Sequence, residues 1–366
     1  MLLWRRTTLF ASASWALSQV PLQPQDHSQG YQFDELLHLP GISPYFDAVG
    51  FGLNNATPEG CNVTAASYLI RHAAIYANDD DYEVYIEPFL EKLENHRSGW
   101  TGPLEFLNKW HSPIPTDKLE EITPSGAGDA YKVGKHLLAR YPDLVPTTQK
   151  ILADKKSRTY DTAKAFVRAF PHADEIEVVR ILHDHNGSMD SLIPHKSCPA
   201  FTKEPGKDEM ATFVSNYAPK VAARLGALVP VKLSDNDIVG MQQLCGYASA
   251  IDGKRSPLCG VFTDAKMDGL RIRLGSSLRS HGTPWLAAQS ALFFSFDGEQ
   301  QRSKSAQEGW PADQRLFLSF THREVPPFVA TALGLFNSSS NSAEEFPLNR
   351  INWTRAWKRG DGEIEL

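Results

Sequence analysis

Four short apolar runs punctuate the chain, and helical patterns separate them. Ser67-Tyr-Leu-Ile70, Lys150-Ile-Leu-Ala153, Glu177-Val-Val-Arg-Ile-Leu182 and Leu316-Phe-Leu-Ser-Phe320 read as buried strands. Gly126–Arg140 and Tyr160–Phe170 read as amphipathic helices, and a further helix is expected from about Pro327 to Leu335. Its prolines suit a first helical turn, where no amide donor is required. Short strands that alternate with helices predict an α/β fold: a mainly parallel sheet flanked by helices. In such sheets ligands bind beyond the carboxyl ends of the strands. Three of the four runs place Arg or His there: Arg71-His72, Ser157-Arg158-Thr159 and Thr321-His322-Arg323-Glu324.

The middle of the chain is patterned differently. Tyr82–His96 and Asp208–Leu228 look helical, and Ser234-Asp-Asn-Asp237 opens another helix that runs to Leu244. These segments predict an inserted helical cap at about 82–115 and 190–300, over an α/β core at about 41–80, 120–185 and 310–357. The polar run Asn337–Ser342 reads as a surface loop, and no internal repeat is visible.

Composition narrows the function classes. The 366 residues are 42% hydrophobic and 22% charged, enough to bury a core. The net charge of -6 and the lack of a long basic run argue against nucleic acid as a partner. An anionic ligand must then be drawn by a local cluster of cations. Arg5 and Arg6 followed by the short apolar stretch Thr7–Leu17 read as an export signal, cleaved after Ser18, with residues 19–366 as the mature unit. That stretch is too short to span a bilayer, so no membrane association is expected once it is removed. Asn55, Asn62, Asn186, Asn337 and Asn352 each begin a glycosylation sequon, which leans toward a secreted glycoprotein. The four cysteines, Cys61, Cys198, Cys245 and Cys259, then suggest two disulfides. Cys245 and Cys259 would close a small loop. Cys61 and Cys198 would pair only if the fold brings them together.

Several chemistries lack their motifs: there is no phosphate-cradling glycine loop, no His-Glu-x-x-His and no Gly-x-Ser-x-Gly. His183-Asp-His185 has no further ligand tied to it and reads as an exposed loop, so no metal site is expected. What remains suits phosphomonoester hydrolysis. That reaction needs a nucleophile, cations on the phosphoryl oxygens and an acid for the leaving oxygen.

At this point the chain resembles the histidine acid phosphatase family, which includes fungal acid phosphatases, phytases and multiple inositol polyphosphate phosphatases. The resemblance runs from about Gly41 to about Trp357. It rests on Leu69-Ile-Arg-His72, Ile122-Thr-Pro-Ser-Gly126, Arg158-Thr-Tyr-Asp-Thr-Ala163, Ser256-Pro-Leu-Cys259 with Cys245, and Phe320-Thr-His322-Arg-Glu324. It implies a phosphoglycerate mutase-like fold and a phosphohistidine formed on His72. Arg71, Arg158 and His322 would hold the phosphoryl oxygens. Glu324 would be the general acid, in the His-x-Glu spacing of the inositol polyphosphate phosphatase branch. The Cys245–Cys259 pair is similar to one in the fungal branch. No cofactor or metal is implied, and the partner would be a small phosphate ester. An acidic optimum is expected, because arginines favour the charged form of a neighbouring acid.

The nucleophile motif departs from the family's Arg-His-Gly-x-Arg-x-Pro. Ala73, Ile75 and Ala77 stand at the Gly, second Arg and Pro positions. Arg323 is a candidate substitute for the missing cation. The family also continues past Trp357 toward a further cysteine, where this chain ends at Leu366. These departures support a second reading, a non-catalytic secreted protein of the same fold. A third is a phosphatase acting on a biosynthetic intermediate.

Overall fold

The computed structural model describes residues 56–145, 149–181, 207–262 and 314–326, with isolated positions around 36–45, 192–196, 311 and 329. Several expectations fall outside them: the export signal, the sequon asparagines Asn55, Asn186, Asn337 and Asn352, the Asn337–Ser342 loop, the His183–His185 loop, and Cys198.

All four apolar runs form strands: β1 (Ala66–Arg71), β2 (Gln149–Asp154), β3 (Ile176–Ile181) and β4 (Leu316–Thr321). They make one parallel sheet in the order β1-β4-β2-β3. The two inner strands carry the most apolar faces, and Leu316, Phe320, Ile151 and Ala153 are fully buried. Register decides where the chemistry gathers. Arg71 pairs with Thr321, and Ala153 pairs with Phe320. The carboxyl ends of β1, β4 and β2 therefore lie side by side.

Helices pack on this sheet as the spacing predicts. Of the helices, α3 (Pro124–Arg140) and α4 (Ser157–Val167) share the sheet's buried core, whereas a turn α1 (Asp79–Asp81) and α2 (Glu87–Asn95) lie with the middle segments. Thr123 caps α3 by accepting from Gly126 N at 2.9 Å. Helix α4 begins three residues earlier than expected and ends three earlier. Lys156, with extended backbone, is its N-cap, and Thr159 Oγ1 bonds back to Asp154 O at 2.8 Å, which ties the helix start to β2. Arg158 consequently sits in the first helical turn rather than in a loop. Phe166 of α4 meets Phe320 of β4 edge-on at 5.4 Å between ring centroids.

The middle segments are helical as well: α5 (Lys207–Leu225) and α6 (Asp235–Asp252). Ser234 and Asp237 form a reciprocal capping box at the start of α6. The helix passes Leu244 and stops at Gly253, whose left-handed backbone (φ 64°) ends it. It runs longer than expected because Ile238, Val239, Leu244, Tyr247 and Ala250 are buried around its whole circumference, so no polar face marks its course. Ser125 Oγ donates to Ala250 O, which joins α3 to α6.

Cys245 and Cys259 are bonded, with Cα atoms 4.8 Å apart. The pairing left open by the sequence would join Cys198, outside the described residues, to Cys61. That residue is exposed, ahead of β1, and unbonded among the described residues. Among the described residues no helix is long and apolar enough to cross a membrane.

Candidate active site

The ends of β1 and β4 bring the two motif histidines together. Their rings lie 5.7 Å apart between centroids, at 63°. His72 N donates to Thr321 O at 2.9 Å and so extends the β1–β4 ladder by one residue. The His72 backbone is thus set by the sheet, and its ring by a second contact. Nδ1 lies 2.9 Å from Ala73 O, and a carbonyl only accepts, so Nδ1 carries the proton. The Nε2 lone pair is left for chemistry. Burial pushes the His72 imidazole well below its ordinary pKa, and the charges of Arg71 and Arg158 push the same way. The ring therefore stays neutral, and nucleophilic, into acid solution.

His322 is held from the other side. Its Nε2 lies 2.6 Å from Oδ2 of Asp154, at the end of β2, and both side chains are buried. An ionised carboxylate only accepts, so this contact places the proton on Nε2. Nδ1 is buried and has no hydrogen-bond partner among the described residues. Burial lowers the His322 pKa, while the bond to Asp154 pulls it back up. A dianionic ligand beside the ring would favour the imidazolium, with Nδ1–H as a donor.

Three arginines complete the cations of the cleft: Arg71, Arg158 and Arg323. Arg71 Nη1 donates to Gly41 O at 2.8 Å. Gly41 is left-handed (φ 73°), and a Cβ there would lie 2.9 Å from that same nitrogen, so the position needs glycine on both counts. Arg158 Nη1 forms an ion pair with Glu120, and Asn78 Nδ2 donates to the other oxygen of that carboxylate at 2.6 Å. Glu120 is itself left-handed (φ 68°), a strained backbone for a residue with a side chain. Thr162 Oγ1 accepts from Ala73 N at 2.9 Å and donates to Arg158 O at 2.6 Å. One hydroxyl thus anchors both the segment after His72 and the turn that carries Arg158. Glu324 lines the same cleft, 3.5 Å from Arg323 Nε.

Every sequence-predicted residue of the phosphate site, His72, Arg71, Arg158, His322 and Glu324, lines this one cleft of about 520 Å³, counting its open mouth. Asp154, Thr162, Glu120, Asn78 and Tyr247 were not anticipated. Only Asp154 carried a signal, as a carboxylate at a strand's carboxyl end. Asn62, the one sequon asparagine described, is exposed. Among the described residues no group of three or more side chains could hold a metal ion.

Comparison with known proteins identifies the family. The family model of the histidine phosphatase superfamily (branch 2) matches residues 62–357. The chain belongs to that superfamily. This branch comprises phosphomonoester hydrolases, and the chain is similar to several fungal members. An acid phosphatase of Komagataella pastoris is 26% identical over 345 residues, which cover 89% of this chain and 71% of the relative. Phytase A of Emericella nidulans is 24% identical over 398 residues, covering 95% and 85%. Among solved structures, the phytase of D. castellii superposes with a TM-score of 0.74 at 18% identity, over 94% of this chain and 76% of that one. That likeness shows the fold, which is the parallel sheet flanked by helices that the sequence predicted.

Proposed function

We propose that this chain is an exported acid phosphatase that hydrolyses phosphomonoesters through a phosphohistidine on His72, with Glu324 as proton donor. The carrying observation is His72: its Nδ1 is committed to Ala73 O, and the residue lines a cleft that holds three arginines and a second histidine. Nε2 attacks phosphorus as the bond to the leaving oxygen breaks, and Glu324 gives that oxygen its proton. Arg71, Arg158 and protonated His322 hold the phosphoryl oxygens. Water then attacks the phosphohistidine and loses a proton to the Glu324 carboxylate, and inorganic phosphate leaves. No step calls on a metal or cofactor. Export is supported by the residues 1–18 pattern, by five sequons and by the Cys245–Cys259 disulfide.

The test is release of inorganic phosphate from an aryl phosphate between pH 3 and 6, with His72→Ala beside the wild type. The wild type should turn over, and His72→Ala should lose turnover by several orders of magnitude. Equal rates would overturn the mechanism. A non-catalytic anion-binding protein of the same fold is the second reading, favoured by Ile75 at the motif's second arginine position. It predicts phosphate binding with no turnover in either protein.

A further inference from the structure

We propose that Arg323 supplies the phosphoryl-binding cation that position 75 does not carry, reaching the phosphoryl oxygens from the β4 side of the cleft. The inference rests on the phosphatase reading of the site.

Position 75 carries no charge in this chain. Ile75 is buried, lines the cleft and bridges antiparallel to Ile122, so an apolar wall stands there. The cleft nevertheless has three arginines along it. Arg71 and Arg158 each commit Nη1 to a protein oxygen, of Gly41 and Glu120 respectively. Arg323 differs. Among the described residues its one ion pair joins Nε to Glu324 Oε1 at 3.5 Å, which leaves both terminal nitrogens outside that contact.

Its surroundings keep the charge in place. Burial opposes the Arg323 guanidinium, but Glu324, Asp81 and Tyr247 outweigh it and hold its pKa above the ordinary value. Asp81 is itself fixed, accepting from Gln243 Nε2 at 2.8 Å and from Tyr247 Oη at 3.0 Å. Tyr247 Oη in turn accepts from Asn78 N at 3.3 Å. These bonds tie α6 to α1, and the carboxylate they hold acts on the Arg323 charge. The arginine's chain position adds a geometric argument. It lies between His322, which would hold a phosphoryl oxygen, and Glu324, which would protonate the leaving oxygen. A fork placed between those two roles suits an oxygen of the transferred group.

The test is calorimetric binding of inorganic phosphate at pH 5 to the wild type, Arg323→Ala, Arg323→Lys and the double variant Arg323→Ala/Ile75→Arg. Arg323→Ala should weaken phosphate by about tenfold or more, the effect of losing a hydrogen bond to a charged group. Arg323→Lys should recover part of the loss, as a point charge without the fork. The double variant should recover part of it from position 75, which lines the same cleft. Unchanged phosphate affinity in Arg323→Ala, with or without a fall in kcat, would overturn the proposal and leave Arg323 as a support for Glu324. If Arg323→Ala does not melt cooperatively, Arg323→Gln takes its place under the same criteria. The two readings fail separately. A wild type that binds phosphate through Arg323 but never turns over overturns the catalytic reading alone, and a wild type that binds no phosphate overturns both.

Discussion

Replacing Asp154 with asparagine would test how the second histidine is prepared. The carboxylate accepts from His322 Nε2 at 2.6 Å and from Lys156 N at 3.2 Å. Asparagine keeps the shape and removes the charge, leaving one oxygen where two donors converge. Two effects follow. The charge-assisted bond to His322 is lost, worth about 1.5–3 kcal/mol. At about 1.4 kcal/mol per tenfold, that corresponds to a loss of roughly 10- to 150-fold in kcat/KM. The second effect is on pH. Burial lowers the His322 pKa, and Asp154 is the strongest influence that raises it. Without Asp154 the ring needs a more acid solution to become the imidazolium that donates Nδ1–H. Activity that depends on protonated His322 falls as pH rises through its pKa, so the basic limb of the profile should move to lower pH. The assay is kcat/KM for an aryl phosphate from pH 3 to 7, with the inhibition constant of inorganic phosphate measured in parallel. A wild-type profile and a wild-type inhibition constant in a variant that melts normally would refute the reasoning.

Two further outcomes are expected. Thr162→Val removes the hydroxyl that bonds Ala73 N and Arg158 O and leaves a buried amide unsatisfied; urea denaturation should show a loss of about 1–3 kcal/mol, and turnover should fall with it. The pH dependence of stability should carry the signature of His72: its folded pKa is depressed, so its contribution is full above the unfolded value near 6.5 and is lost as pH falls toward the folded one, at about 1.4 kcal/mol per unit of depression. Urea midpoints from pH 7 to 4 should therefore drop less for His72→Ala than for the wild type, and parallel curves would contradict this.

The sheet was readable in the sequence because its strands are short, apolar and separated by helical periods. His72 and His322 stood out because each follows such a run directly. Arg158 was recognised by its segment but misplaced, since Lys155-Lys156-Ser157 looks like a solvated turn and the helix starts inside it. Asp154 could not be read as a partner of His322. The two are 168 residues apart, and only the Leu152–Ser319 and Ala153–Phe320 register brings them together. Glu120 gave no signal either, because nothing around Leu119-Glu120-Glu121 announces a left-handed residue. Its conformation is imposed by Arg158 and Asn78, which reach it from other elements, and by its own N–H bonding to Ala77 O at 2.8 Å.

The structure also shows which part of the nucleophile motif has been given up. At position 73 both backbone groups are engaged: the carbonyl orients the His72 ring, and the N–H bonds Thr162. Alanine performs both as well as glycine, provided its methyl has room. Gly126 lets the next residue's backbone approach α3, since a Cβ there would lie 2.5 Å from Ala74 O. Position 75 is another matter, because its contribution was a side-chain charge and isoleucine has none. The departure thus removes charge while leaving in place the backbone bonds that orient His72. Glu120 deepens the deficit, since a phosphoryl group must share Arg158 with it. On the proposed mechanism, tight phosphate binding would then depend on the turn after β4, where His322, Arg323 and Glu324 follow one another. If that turn is where binding strength now resides, substitutions there should cost more phosphate affinity than substitution of Arg158, whose charge is already half answered.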